Sequence, residues 1–296
     1  MNNSANQVLF IRTSSNLNVP STLSRTVGAA GLALLIGLAA AWAAPEPSAN
    51  TGTLQTAGEL VVALDARDPS AGTTNWINNG TMGNFTRIGA PKVATAGGQP
   101  AVQFNGKSDA YRSEKPTPGA ITGAHARSIE VWVNNPSFDS TEECMVAWGH
   151  RGETLANLSF NYGSGGGFSA VTHYDQDMGW GDDDTPTAGQ WHYLVYTYDG
   201  KTARIYDNGL RRGSQDFQLA TAANNRMNIG VENSTEGEPI FESEFDDHWP
   251  LSLSGNIAIV RVHSGALTAD QIKSNFDAEK TRFGVSAPSA GQSETR

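Results

Sequence analysis

The sequence predicts an all-β protein, a sandwich or barrel with one short C-terminal helix. Short runs of β-branched and aromatic residues recur from residue 59 to residue 263, each bounded by Gly, Asn, Asp or Pro. One of them, Trp191-His192-Tyr193-Leu194-Val195-Tyr196-Thr197-Tyr198, leads into Asp199-Gly200 and a second run over 201–206, the pattern of a hairpin. A single stretch, beginning at Thr268-Ala269-Asp270-Gln271, has the start signal of a helix.

Two segments of other character precede the first strand. Residues 1–43 contain no Asp or Glu, and Arg12 and Arg25 stand before an apolar run over 27–42, the layout of an export signal peptide. The small residues Ala41 and Ala43 flank Trp42 as at a cleavage site, so the mature chain is expected to begin near Ala44. The competing expectation is an uncleaved N-terminal anchor. Either one exports the remainder, to the periplasm, the cell surface or the extracellular space. Residues 44–58 are polar, contain proline and lack periodicity, so a linker is expected there. A disordered tail of similar composition is expected over 285–296. The segment between, 59–284, has no internal linker or repeat and reads as one domain.

Within that domain the first strand is expected over 59–64, closed by Asp65 and the Asp68-Pro69 turn, and another over 101–104, ending at Asn105-Gly106. Residues 128–133 put Ile129, Val131 and Val133 on one face, and Asn134-Asn135-Pro136 stops them. Strands over 145–148, 158–162 and 168–172 follow, separated by Gly149 and the glycine-rich run 163–167. Asp199-Gly200 predicts a type I′ turn, which needs positive φ at both central residues. The last strand, 256–263, carries Ile257, Ile259 and Arg261 on one face and Ala258, Val260 and Val262 on the other. Apolar on both faces, it belongs in the middle of a sheet. In the helix, Thr268 and Gln271 form a capping box, Ile272 and Phe276 share a face, and Gly284 suits the position after the end. It is expected to pack across an open end of the sandwich.

Charge excludes several functions. The chain is 17% charged against roughly 25% in average proteins, and its formal net charge is −10. Neither a nucleic-acid backbone nor an anionic membrane surface finds an electrostatic grip on it, so no membrane contact beyond the possible N-terminal anchor is expected. Cys144 is the single cysteine, which rules out an intrachain disulfide and a Cys-rich zinc site. Preceded by Glu142 and Glu143, its thiol is expected to have a raised pKa and to serve as a small buried hydrophobe. His192, among strand aromatics, reads as a hydrogen-bonded structural histidine, and His150 as a loop residue.

The ordered set Ser128 to Val133, Gly189-Gln190-Trp191-His192 through Asp199-Gly200, Ile205-Tyr206-Asp207-Asn208-Gly209, and Leu253 to Val262 followed by Ala266-Leu267-Thr268 resembles the laminin-G-like, concanavalin A-like jelly-roll family in its bacterial LamG-like form. The resemblance spans roughly residues 59–284 and implies a two-sheet antiparallel jelly-roll sandwich, its curved sheets packed face to face. Relatives include sugar-binding lectins, adhesion modules, calcium-dependent recognition domains and glycoside hydrolases, so function must come from a site.

Two loops supply candidates. The segment 173–184 offers Tyr174, Asp175, Asp177 and Trp180 as ligand-binding residues, the rings as flat faces for a sugar and the acids as hydrogen-bond acceptors. Asp175 and Asp177 are the candidate calcium ligands, since calcium takes several hard oxygens; the EF-hand glycine and glutamate are missing. The segment 236–249 is rich in acids. If 241–246 is extended, Glu242, Glu244 and Asp246 line one face, as a retaining glycosidase would need. The leading expectation is a secreted or cell-surface, non-catalytic recognition module for extracellular carbohydrate or a protein partner, assisted by calcium. A glycoside hydrolase using Glu242, Glu244 or Asp246 and a structural envelope protein are the alternatives.

Overall fold

The computed structural model describes residues 53–138, 142–163, 170–180, 186–244 and 249–286. They fall in one compact unit, Ser48–Arg296. The expected signal peptide lies outside the described residues, as do the start of the linker and the tail beyond Ser286.

Among the described residues two antiparallel sheets dominate. The larger has eight strands, in the order Leu210–Asp216, Thr202–Asp207, Trp191–Tyr198, Arg127–Asn134, Asn256–His263, Gln99–Gln103 and Lys92–Ala96, with Leu60–Asp65 also pairing with Asn256–His263. The smaller has seven: Val171–Thr172, Asn157–Asn161, Cys144–Gly149, Arg226–Ile229, Ala110–Pro116, Phe85–Ile88 and Asn75–Trp76. Between them lies the main core. Ile129, Val131, Val133, Leu194 and Tyr196 from the larger sheet pack with Val146, Trp148, Leu158, Phe160 and Ile229 from the smaller. Strict alternation along Arg127–Asn134 is what presents the first three to that core.

The final strand is central as expected, but its faces differ from simple alternation. A register irregularity between Ile257 and Ile259 advances the pattern by one residue, so Ile257, Val260 and Val262 face the main core while Ala258 and Ile259 face the other side. A bulge of this kind turns every later side chain over. The hairpin joining Trp191–Tyr198 to Thr202–Asp207 is present, with a different turn. Gly200 alone has positive φ, and the Asp199 carboxylate accepts from the Lys201 and Thr202 amides instead. An Asx-type hydrogen bond of this sort substitutes for the type I′ geometry.

The helix, Ala269–Glu279, has the predicted capping box at Thr268 and Gln271. It lies on the outer face of the larger sheet, not across an open end, because that face carries Trp132, Tyr193 and Val195. Ile272, Phe276 and Phe283 cover them, with the Trp132 and Phe283 rings stacked 4.0 Å apart. Each aromatic ring so covered removes about 150–250 Å² from water, worth several kcal/mol. Polar fastenings complete the contact: Trp132 Nε1 donates to Glu279 Oε2 at 2.7 Å, and buried Glu130 accepts from Asn275 at 3.0 Å and meets His263 Nε2 at 2.6 Å. Gly284 takes positive φ only after a turn over 281–284, beyond the C-cap at Lys280. Residues 53–58, within the expected linker, carry no helix or strand, yet Gln55 is held to Asn275 by two hydrogen bonds. Val285 packs against the outer cluster.

Candidate functional site

The candidate site is built at one end of the smaller sheet, where two loops meet. Gly149 ends the Cys144–Gly149 strand with φ +86, and a side chain there would lie 2.2 Å from the Ala156 carbonyl oxygen. Only glycine lets the chain double back into the 150–156 loop at that approach. The second loop leaves Val171–Thr172 and returns at Met178, whose backbone pairs with Val171. Its tip is closed by the His173 amide donating to Asp177 Oδ1 at 2.8 Å.

Within that tip Tyr174 and Asp175 both have φ near +65. Left-handed backbone costs a non-glycine residue about 1–2 kcal/mol, and two in succession hold their shape only because neighbours pin them. The Leu155 amide donates to the Tyr174 carbonyl at 3.2 Å, and Thr154 Oγ1 donates to Asp175 Oδ2 at 2.9 Å. Asp175 and Gln176 are exposed, and Tyr174 and Asp177 half-buried.

Beneath this rim is a buried charge network that sequence reading did not assemble. Glu232 is fully buried and accepts from Arg151 Nη1 and Asn157 Nδ2, each at 2.7 Å. The same Arg151 nitrogen is 3.9 Å from Glu142 Oε2. Burial and the charge on Glu232 push the Glu142 carboxyl up to about 8 against the pull of Arg151. Burial likewise raises Glu232, with Arg151 and Asn157 opposing. Asp177 is raised by burial, opposed by the His173 amide and reinforced by Asp175. Its charge is felt by both glutamates, which links rim to network. The only sign in the sequence was the alternation Asn157-Leu158-Ser159-Phe160-Asn161, which turns polar side chains away from the core; nothing local brings Glu142, Arg151 and Glu232 together.

The expected site residues divide. Tyr174, Asp175 and Asp177 share the rim. Trp180 does not: it is 2% exposed and packs against Phe160 with ring centroids 5.9 Å apart, so its indole is core and offers no face to a sugar. An indole gains more from apolar burial than from solvent exposure. Among the described residues no three of His, Cys, Asp and Glu converge around Asp175 and Asp177, and Asp182, Asp183 and Asp184 of the same segment lie outside the described residues. Glu242 and Glu244 are exposed, and residues 241–244 form no strand beyond a single bridge from Glu242 to Pro250, so the expected acidic strand is absent there. Asp246 lies outside the described residues. His192 is structural as expected, its Nδ1 2.8 Å from Asp207 and its Nε2 accepting from the Thr187 amide. Burial, then Glu232 and Glu142, raises the Cys144 thiol.

A family model described as the concanavalin A-like lectin/glucanases superfamily matches residues 96–273, more than half of the sequence. The chain belongs to that superfamily. No curated protein sequence matches it. Among solved structures it is similar to domain 4 of AbnA, a GH43 extracellular arabinanase from Geobacillus stearothermophilus determined with arabinotriose, at 18% identity and TM-score 0.52, over 73% of this chain and 98% of that one. It is also similar to a sialidase from Trypanosoma rangeli in complex with 2,3-difluorosialic acid, at 14% identity and TM-score 0.50, over 76% of this chain. That match spans 34% of the sialidase, about a third of its length. Likeness at these identities shows the shared lectin/glucanase fold. No helix among the described residues is long and apolar enough to cross a membrane.

Proposed function

We propose that this superfamily member is an exported, non-catalytic recognition module that binds extracellular carbohydrate through the rim made by Tyr174, Asp175, Gln176 and Asp177 with the 150–156 loop. The observation that carries this reading is the pinned pair of left-handed residues, Tyr174 and Asp175. Strain of this kind is kept where a side chain must be held in a set direction, and here it displays an exposed carboxylate beside a half-buried phenol. A carboxylate, an amide and an aromatic edge are the groups that recognise sugar hydroxyls and ring faces. The arabinotriose bound by domain 4 of the arabinanase supports a sugar as the ligand class.

A catalytic role has less support. Glu142 and Glu232 are almost wholly buried, with Arg151 between them, and Glu242 and Glu244 are exposed and outside any strand. The test is a glycan array read with parent protein and with Tyr174→Ala and Asp175→Ala, each in calcium and in EDTA. Selective glycan binding that both variants lose is the expected result. Variants that bind as the parent does would overturn the site, and reducing-sugar release from a polysaccharide panel would overturn the non-catalytic reading. Loss of binding in EDTA would assign calcium to the rim; unchanged binding would remove it.

A further inference from the structure

A second donor-rich hollow is far from that rim in the chain. It is a cavity of about 590 Å³ where the end of the Arg127–Asn134 strand, the Gly189-Gln190 turn, the Asn208 turn and the residues after the helix meet. Gly97 shapes one wall, since a side chain there would strike the Trp191 indole nitrogen at 2.6 Å. Its volume lies within the range of about 300–1,000 Å³ typical of small-molecule sites.

The chemistry of the lining is one-sided. Arg212 is its single charged side chain, in a protein of net charge −10. Its guanidinium makes no hydrogen bond, its Nε is buried without a partner, and its ion pair with Asp207 is long, 3.9 Å. Asp207 does not line the cavity; its other oxygen is engaged by His192 Nδ1 at 2.8 Å. Asn134 is 8% exposed, lines the cavity and has no side-chain partner. Gln190 is exposed with a free amide, and Asn208 spends its carbonyl on the Tyr193 amide and keeps its NH2 available. A guanidinium held only by a long ion pair and three side-chain amides with open donors thus line one hollow, an arrangement that offers a ligand one positive charge and several hydrogen bonds.

We propose that this cavity is a second binding site, taking a carboxylate-bearing sugar such as a hexuronate, with Arg212 on the carboxylate and the Asn134, Gln190 and Asn208 amides on hydroxyls. A planar five-donor fork matches a carboxylate. A single cation among neutral amides suits one negative charge better than the two of a phosphate monoester. Trp191 and Phe283, both buried against the outer cluster, give the hollow an apolar floor of ring edges. This site is independent of the rim around Tyr174 and adds an acidic-sugar specificity to the module.

The experiment is ligand-observed saturation-transfer NMR on the full chain with D-glucuronate and D-glucose, with inorganic phosphate titrated as a competitor of the glucuronate signal, each giving a dissociation constant. Glucuronate is expected to saturate the site and to bind at least about tenfold more tightly than glucose, and Arg212→Gln to weaken glucuronate by at least about tenfold with no fall in melting temperature. Tyr174→Ala should leave glucuronate binding unchanged, which separates this site from the rim. If Arg212→Gln lowers the melting temperature, Asn134→Ala serves instead and should weaken glucuronate by about threefold or more. Equal affinity for glucose, phosphate binding as tightly as glucuronate, or variants that bind as the parent does would each overturn the proposal.

Discussion

Replacing Arg151 with methionine removes the cation of the buried charge network. Arg151 Nη1 lies 2.7 Å from Glu232 and 3.9 Å from Glu142. At an effective dielectric of about 20 these separations correspond to attractions of roughly 6 and roughly 4 kcal/mol, most of which offsets the loss of hydration on burial. Removing one partner of such a set costs about 3–5 kcal/mol at a pH where its counterpart would be charged. The sign follows from proton binding. Glu142 is already raised to about 8 in the folded protein, from 4.5 when unfolded. Its stabilising contribution is therefore complete below 4.5 and is lost as pH rises through 8. Without Arg151, Glu232 must also hold a proton that the unfolded chain releases. Because burial raises Glu232 in the parent too, the gap between parent and Arg151→Met should widen with pH between 5 and 8 by at most about 1.4 kcal/mol for each pH unit, to a ceiling of about 4 kcal/mol. For a domain of this size that is a difference in melting temperature of about 10 °C at pH 8. Urea unfolding of both proteins at pH 5 and pH 8 measures it. A gap that is equal at the two pH values, or under about 1 kcal/mol at pH 8, would refute the assignment of Arg151 as the cation that holds Glu232 charged.

Trp180→Ala should cost about 3–5 kcal/mol in urea unfolding and leave any glycan affinity unaltered under conditions where the protein stays folded, because the ring is core. His173 is fully buried, and burial lowers its pKa to about 3, with the Asn157 carbonyl opposing and the Arg127 charge adding. Its neutral form therefore stabilises fully above pH 6.5, and that contribution is lost as pH falls toward 3; His173→Gln should flatten the fall in melting temperature over that window. Thr268→Ala removes a capping box seen intact and should lower stability by about 1 kcal/mol, detectable as a shift in the urea midpoint with unchanged slope.

The rim was half legible. Asp175 and Asp177 are close in sequence, and a polar loop between strand residues places both at a sheet end whatever the rest of the chain does. Trp180 was misjudged because a tryptophan two residues past the loop can point outward or inward. The main core, reached only when the second sheet arrives, drew it in. Glu142, Arg151, Asn157 and Glu232 are separated by up to 90 positions along the chain, and no periodicity connects them. The cavity around Arg212 has the same origin, since it is bounded by five segments distant in sequence.

Local patterning determined the strands Leu60–Asp65, Gln99–Gln103, Arg127–Asn134, Cys144–Gly149 and Asn157–Asn161, the hairpin after Tyr198, the central place of residues 256–263 and the capped helix, because alternation, turn residues and caps act over a few neighbours. Tertiary structure alone decided the bulge at Ile257–Ile259, the helix's seat on the Trp132 face and the pairing of buried charges. Those depend on which apolar surface must be covered and which charges are then stripped of water together, and neither quantity exists until the two sheets close on each other.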